Sequence, residues 1–251
     1  DSGANVITSN SYAVVPFHIG EARFAQEGQA LAALAGELAR RAVQASGKAV
    51  QVAGSLPPLF GSYRPDLFQA ERVSELLTPL VNGLAPHVDL WLAETQSSIA
   101  EARAIHAGLP KDGKPFWLSF TLKDEDTDEV PRLRSGEPVA DAAEAAAQLG
   151  VQVLLFNCSQ PEVIGAAIDA ARQTFDRLGV AIQIGAYANA FPPQPKEATA
   201  NDGLDPLRDD LDPPGYLQWA ADWQARGASH LGGCCGIGPE HIAVLAQRLT
   251  D

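Results

Sequence analysis

Residues 151–186 read VQVLLFNCSQPEVIGAAIDAARQTFDRLGVAIQIGA, and the pattern in this stretch decides the fold. The run Val153-Leu154-Leu155-Phe156 is continuously apolar, as a strand buried on both faces must be. Over 163–178, Ile164, Ala167, Ile168, Ala171, Phe175 and Leu178 fall at helical spacing and form one apolar stripe. Residues 181–186 then return to an apolar, strand-like run. Strand, helix and strand in so short a length make a parallel βαβ unit.

The same alternation extends in both directions. Strands are predicted at 4–8, 49–53, 88–93, 115–121, 151–157, 181–186 and 229–232, and helices at 21–45, 70–84, 98–107, 139–149, 163–178, 215–225 and 239–249. Pro239 followed by Glu240 is a helix-start signal. Successive βα units predict an α/β fold, a (β/α)8 TIM barrel, with an open doubly wound sheet as the competing architecture. No Gly-x-Gly-x-x-Gly follows the first strand, which removes the usual dinucleotide-binding form of that alternative. No break in composition divides the chain, so residues 1–251 read as a single domain. Two polar stretches interrupt the pattern. Residues 123–138 are acidic, and 191–214 are rich in Pro, Asp and Gly; in a barrel both are loops of the C-terminal face, the second placed as a partial lid.

Composition narrows the function. Hydrophobic content of 46% and charged content of 20% describe a globular chain. A net charge of −13 without Lys/Arg clusters argues against nucleic acid or an anionic membrane surface as partner. No apolar run approaches the ~20 residues of a membrane span. The three cysteines, two of them adjacent, do not make a disulfide framework and fit the reduced thiols of a cytoplasmic protein. The sequence leaves the oligomeric state open.

All three cysteines sit at two strand ends: Asn157-Cys158, and Gly232-Gly233-Cys234-Cys235-Gly236. Counted as strands six and eight of a barrel, these two strand ends share a layer and bring the sulfurs together across the mouth. The flanking glycines let the backbone turn so that two adjacent sulfurs reach one point. Three thiolates around zinc leave one coordination position open, which is a catalytic rather than a structural arrangement. Inert buried cysteines, a redox-active vicinal disulfide, and a four-ligand structural zinc completed by His230 are the competing readings. A zinc ion bearing three thiolates suits activation of a substrate thiol, and alkyl transfer to sulfur is the reaction class implied.

With Thr8-Ser9-Asn10-Ser11-Tyr12, Gly54-Ser55 and Glu94-Thr95 added to the two cysteine motifs, the chain resembles the homocysteine S-methyltransferase family from about residue 4 to about 249. The resemblance implies a (β/α)8 barrel with zinc held by Cys158, Cys234 and Cys235, and a methyl group passed from S-methylmethionine, S-adenosylmethionine or betaine to homocysteine, yielding methionine. It implies that Glu94 binds the homocysteine amino group, with Asn10, Asn157 and Gly233 also at the substrate. Tyr187, Asn189 and Phe191, after the penultimate strand, are candidates for holding the onium group of the donor by cation–π contact. The segment 186–191 departs from the family's better-known pattern, which leaves the donor open. His18 is a weaker candidate. A non-catalytic zinc- or thiol-binding barrel, or a methyltransferase acting on another thiol or selenol, is the alternative function.

Only seven βα units can be counted where closure takes eight, the chain has no methionine, and the acidic motif that the family carries on its opening strand has no counterpart. The expectation is that the first βα unit lies outside this sequence.

Overall fold

The computed structural model describes residues 2–124, 130–192 and 206–249. Its sheet is built from β1 (Val6–Thr8), β2 (Gln51–Leu56), β3 (Leu90–Gln96), β4 (Phe116–Phe120), β5 (Val153–Asn157), β6 (Gln183–Tyr187) and β7 (His230–Leu231). All neighbouring strands are parallel and the spatial order equals the chain order. Between them run α1 (Pro16–Ile19), α2 (Glu21–Ser46), α3 (Val73–Leu84), α4 (Ile99–Ala107), α5 (Val139–Gln148), α6 (Pro161–Leu178), α7 (Pro213–Ala225) and α8 (Pro239–Arg248).

The βαβ unit read first from the sequence shows how the chain encodes this. Pro161 occupies the first turn of α6, where a missing N–H costs nothing, and Gly179 ends the helix at φ 66. Ile164, Ala167, Ile168, Ala171 and Phe175 are buried against the sheet, as their spacing predicts. Leu178, the last residue of that stripe and of α6, is instead exposed.

The sheet is curled. The rings of Trp117 on β4 and His230 on β7 meet edge to face with centroids 4.8 Å apart. Three strand intervals of a flat sheet would hold them roughly 14 Å apart. Ala53, Leu90, Leu92, Trp117, Val153 and Leu155 therefore form a small inner cluster, with Val6 and Tyr187 packed on it. The main core lies outside the strands, under the helices.

A closed eight-stranded barrel is not what the described residues form. The ladder ends at β1 on one side and β7 on the other, and no pairing joins those two strands among the described residues. Gly3, just ahead of β1, instead packs so closely on α8 that a Cβ there would lie 2.5 Å from the Cβ of Ala246.

Three strands run further than their hydrophobicity suggests. β2 continues through Ser55 and Leu56, β3 through Glu94, Thr95 and Gln96, and β6 through Tyr187. At the mouth the Ser55 hydroxyl donates to the Glu94 carboxylate at 2.6 Å, a polar contact that the hydrophobic pattern does not record. The helix expected from residue 70 opens with a 3-10 turn at Ala70–Arg72 before α3 begins. Most of the acidic run, residues 125–129, and most of the proposed lid, residues 193–205, lie outside the described residues.

Candidate metal centre

Inward positions alternate along each strand, so the cluster Ala53, Leu92, Trp117 and Leu155 continues two residues later as Ser55, Glu94, Ser119 and Asn157. This polar ring lies at the C-terminal ends of the strands, where parallel α/β sheets carry their sites. The residue after Asn157 is Cys158, and its buried side chain turns into the mouth because its backbone adopts φ 52. Thr95, next to Glu94, has φ 58 at an irregularity in the β3–β4 ladder, and Tyr63 has φ 65. Such left-handed conformations are uncommon outside glycine, and for a β-branched threonine they are strained.

Cys234 and Cys235 arrive from the other side, in the loop after β7. The Cys234 N–H donates to the carbonyl of Ala188, and the Cys235 carbonyl accepts from Ala190 N–H, so both are pinned to the loop after β6. Gly233 is glycine because a Cβ there would lie 2.1 Å from the side chain of Ile237. Gly236 sits at φ 80.

The three sulfurs lie within 4.8 Å of one another. Cys158 Sγ is 3.8 Å from Cys235 Sγ, and Cys234 Sγ is 3.9 Å from Cys235 Sγ. Tetrahedral zinc with Zn–S bonds of about 2.3 Å separates its sulfurs by about 3.8 Å. The spacing and the soft donor set therefore fit zinc. Cys158 is buried, Cys234 is half-buried and Cys235 is exposed, which leaves one side of the set facing solvent.

Crowding divides the protons unequally. Hydrogen bonds from Cys158 and then Cys234 draw the Cys235 thiol down to about 3. Its bonds to Cys158 and then Cys235, followed by burial, drive Cys234 well up. At Cys158 the bond with Cys234 pulls downward, but Cys235 and burial outweigh it and push the thiol up to about 12. Three thiols this close cannot all ionise without a cation among them, which is why such a set binds metal with release of protons.

The polar ring supports the sulfurs. Asn157 is fully buried; its Oδ1 accepts from Ser119 Oγ at 2.6 Å and its Nδ2 donates to Thr95 Oγ1 at 2.8 Å. The same Nδ2 lies 4.0 Å from Cys234 Sγ. Glu94 accepts from Ser55 Oγ at 2.6 Å. Burial raises the Glu94 carboxyl above its ordinary range, against the pull of Ser55 and Tyr187. The Tyr187 phenol is itself pushed well up, first by burial and then by the Glu94 charge.

The remaining candidates make other contacts. Asn10 is exposed in the turn after β1; the neighbouring Ser9 and Ser11 are the buried ones, bonded to each other and to the backbone of Ser55. Asn189 is buried but accepts from Gln160 Nε2 and the Phe191 N–H, and the Phe191 carbonyl accepts from the same Gln160. Both belong to the scaffold of that loop. His18 stacks on Phe17 in α1, with centroids 4.2 Å apart, and burial lowers its pKa. His230 packs on Trp117 below the sulfurs and does not join the cysteine cluster. Sequence reasoning missed Tyr63, whose hydroxyl lies 2.9 Å from Cys158 Sγ; nothing in its local pattern marks it.

The chain matches the family model for homocysteine S-methyltransferases over residues 1–249. It belongs to the homocysteine S-methyltransferase family. It is 29% identical to Homocysteine S-methyltransferase 3 of Arabidopsis thaliana over 169 residues, 65% of this chain and 44% of that protein. It is 25% identical to Homocysteine S-methyltransferase 4 of Zea mays over 169 residues, 65% of this chain and 45% of that protein. The match thus spans less than half the length of these curated relatives. Among solved structures, it resembles the metallated form of the homocysteine methyltransferase MmuM from Escherichia coli, with TM-score 0.74 and 28% identity over 98% of this chain and 80% of that one. The curled parallel sheet is thus shared with a family member.

Proposed function

We propose that this chain transfers a methyl group from a sulfonium or ammonium donor to the thiol of homocysteine, with zinc held by Cys158, Cys234 and Cys235. The observation that carries the reading is the convergence of the chain's three thiols within 4.8 Å, two of the separations being those of tetrahedral zinc. Family membership and the likeness to metallated MmuM support it. When bound, zinc supplies a fourth coordination position at which a substrate thiol loses its proton near neutral pH.

The chain's own residues bind and align. Glu94, held by Ser55 at the mouth, offers a carboxylate to the substrate ammonium, and an arriving cation offsets the cost of its burial. Asn157, locked between Ser119 and Thr95, fixes the backbone from which Cys158 projects. Of the donor candidates, the Tyr187 ring, packed on the inner cluster, would hold the onium group by a cation–π contact. In the transfer, a lone pair on the homocysteine sulfur forms the new S–C bond. The donor's C–S or C–N bond breaks and its electron pair stays with the departing sulfur or nitrogen. The step needs in-line alignment and no acid–base residue.

Residues 1–251 act here as one domain, in the cytoplasm, where the thiols stay reduced. Among the described residues no helix is long and apolar enough to cross a membrane. The test is metal analysis followed by assay of the zinc-loaded protein with homocysteine and S-methylmethionine, S-adenosylmethionine or betaine. Methionine from any one donor is the expected result. A zinc-loaded protein that forms none from any of them would overturn the reading in favour of a binding barrel.

A further inference from the structure

Tyr63 belongs to none of the motifs by which the chain is assigned, yet it touches a sulfur of the centre. Its hydroxyl is 2.9 Å from Cys158 Sγ. While Cys158 is a thiol either atom can donate that hydrogen bond. Once the sulfur is a thiolate it carries no hydrogen, and only the tyrosine can donate. The contact is made from an improbable backbone position, φ 65, in the loop after β2, far in sequence from Cys158. Such a conformation persists only where surrounding structure enforces it.

The enforcing structure is the loop after β4. The Arg134 guanidinium lies over the Tyr63 ring, 5.1 Å from its centroid. Arg134 is ion-paired to Asp124 at 2.7 Å, with side-chain exposures of 5% and 0%. Asp124 also accepts from the backbone N–H of Gln160, two residues after Cys158. In the same loop Thr121 Oγ1 donates to the Cys158 carbonyl at 3.3 Å, and Leu122 N–H donates to Ser159 Oγ at 2.8 Å. A single buried ion pair thus ties down both ends of one contact: the tyrosine ring on one side and the backbone around the cysteine on the other.

We propose that Tyr63 is a positioning residue of the thiol centre. Its hydroxyl donates to the Cys158 thiolate and withdraws charge from that sulfur, and the Arg134–Asp124 pair holds it in place. This rests on the reading of the three cysteines as metal ligands. Hydrogen bonds to an anionic acceptor are short and strong, and those to ligand atoms tune a bound metal. Loss of the bond makes the sulfur a stronger electron donor, so less energy is needed to move charge from it to a metal.

The test uses the cobalt(II)-loaded protein and its thiolate-to-cobalt charge-transfer absorption, a readout independent of activity. Y63F keeps the ring under Arg134 and removes only the hydroxyl. It should bind cobalt at the same stoichiometry and move the band to longer wavelength. R134Q keeps the hydroxyl but loosens its seat, and should shift the band the same way by a smaller amount. R134Q also serves where Y63F fails to fold. An intact wild-type band that folded Y63F or R134Q leaves unmoved overturns this proposal alone. A wild-type protein that shows no thiolate-to-cobalt band overturns the metal reading and this proposal with it.

Discussion

The non-glycine residues with left-handed backbone among those described are Tyr63, Thr95 and Cys158, and all three lie around the sulfurs. Each such conformation costs on the order of 1–3 kcal/mol, which the surrounding ladder and hydrogen bonds must offset. Strain here aims side chains: without φ 52, Cys158 would continue the alternation of β5 and point away from the mouth. Glu94 shows the electrostatic side of the same crowding. Its carboxyl is raised by burial, so it ionises later than an exposed glutamate as pH rises. If the ionised form binds the substrate ammonium, homocysteine affinity is lost as pH falls through that raised value. E94Q should raise the homocysteine KM by about tenfold or more, the loss of one hydrogen bond to a charged group. It should also abolish the acid limb of kcat/KM, with little effect on kcat. Steady-state kinetics across pH check this, and an unchanged acid limb would remove Glu94 from the substrate site.

At the scale of elements, the start of α4 carries a second perturbed carboxyl. Ser98 caps the helix and accepts from the Glu101 N–H, while Glu101 Oε2 accepts from the N–H groups of Ser97 and Ser98. Glu101 is 3% exposed, and burial pushes its pKa up to about 7 against those hydrogen bonds. Between the unfolded value near 4.5 and the folded value near 7, the folded chain holds a proton the unfolded chain has lost, so stability falls as pH rises through that window. The loss reaches about 3 kcal/mol by neutral pH. E101Q keeps an acceptor for the cap and carries no charge. The stability difference between E101Q and wild type should therefore widen from pH 5 to 7 in denaturant titrations and level off above. Strand pairing makes a separate prediction. A Cβ at Gly185 in β6 would lie 2.5 Å from the His230 carbonyl oxygen of β7. Gly185→Ala should push β7 outward, costing about 1–3 kcal/mol of stability. Because β7 delivers Cys234 and Cys235, the same change should weaken zinc binding, read by chelator competition.

For the whole molecule, the sulfurs come from two segments distant in sequence, the end of β5 and the loop after the edge strand β7. An ion bound to all three clips that edge to the middle of the sheet. A ligand that binds only the folded chain stabilises it by about 4 kcal/mol at a thousandfold excess over its Kd. Zinc loading should therefore raise the melting temperature, chelation should reverse the rise, and C235A should abolish both the rise and methyl transfer. Calorimetry with and without chelator checks this. Equal melting curves for loaded and stripped wild-type protein would mean that the three thiols do not act as one site.

The sequence by itself determined the alternation of strands and helices and the order of the elements, because apolar spacing reports which face of each element is buried. Ile164 to Phe175 and Val153 to Phe156 show this directly. It also singled out the three cysteines, since rare soft ligands at glycine-flanked strand ends carry their own chemical signal. Only the tertiary structure decided what surrounds them. Ser55 and Glu94 lie on extended strand ends and meet in a hydrogen bond across the mouth, which no local pattern records. That Asn10 is exposed and that Asn189 is hydrogen-bonded within its loop was not legible, because hydrogen-bond partners, unlike burial stripes, have no period along the chain. Tyr63 reaches Cys158 across 95 positions through a backbone angle that its own sequence neighbourhood does not favour, and that contact exists only once the strands are side by side.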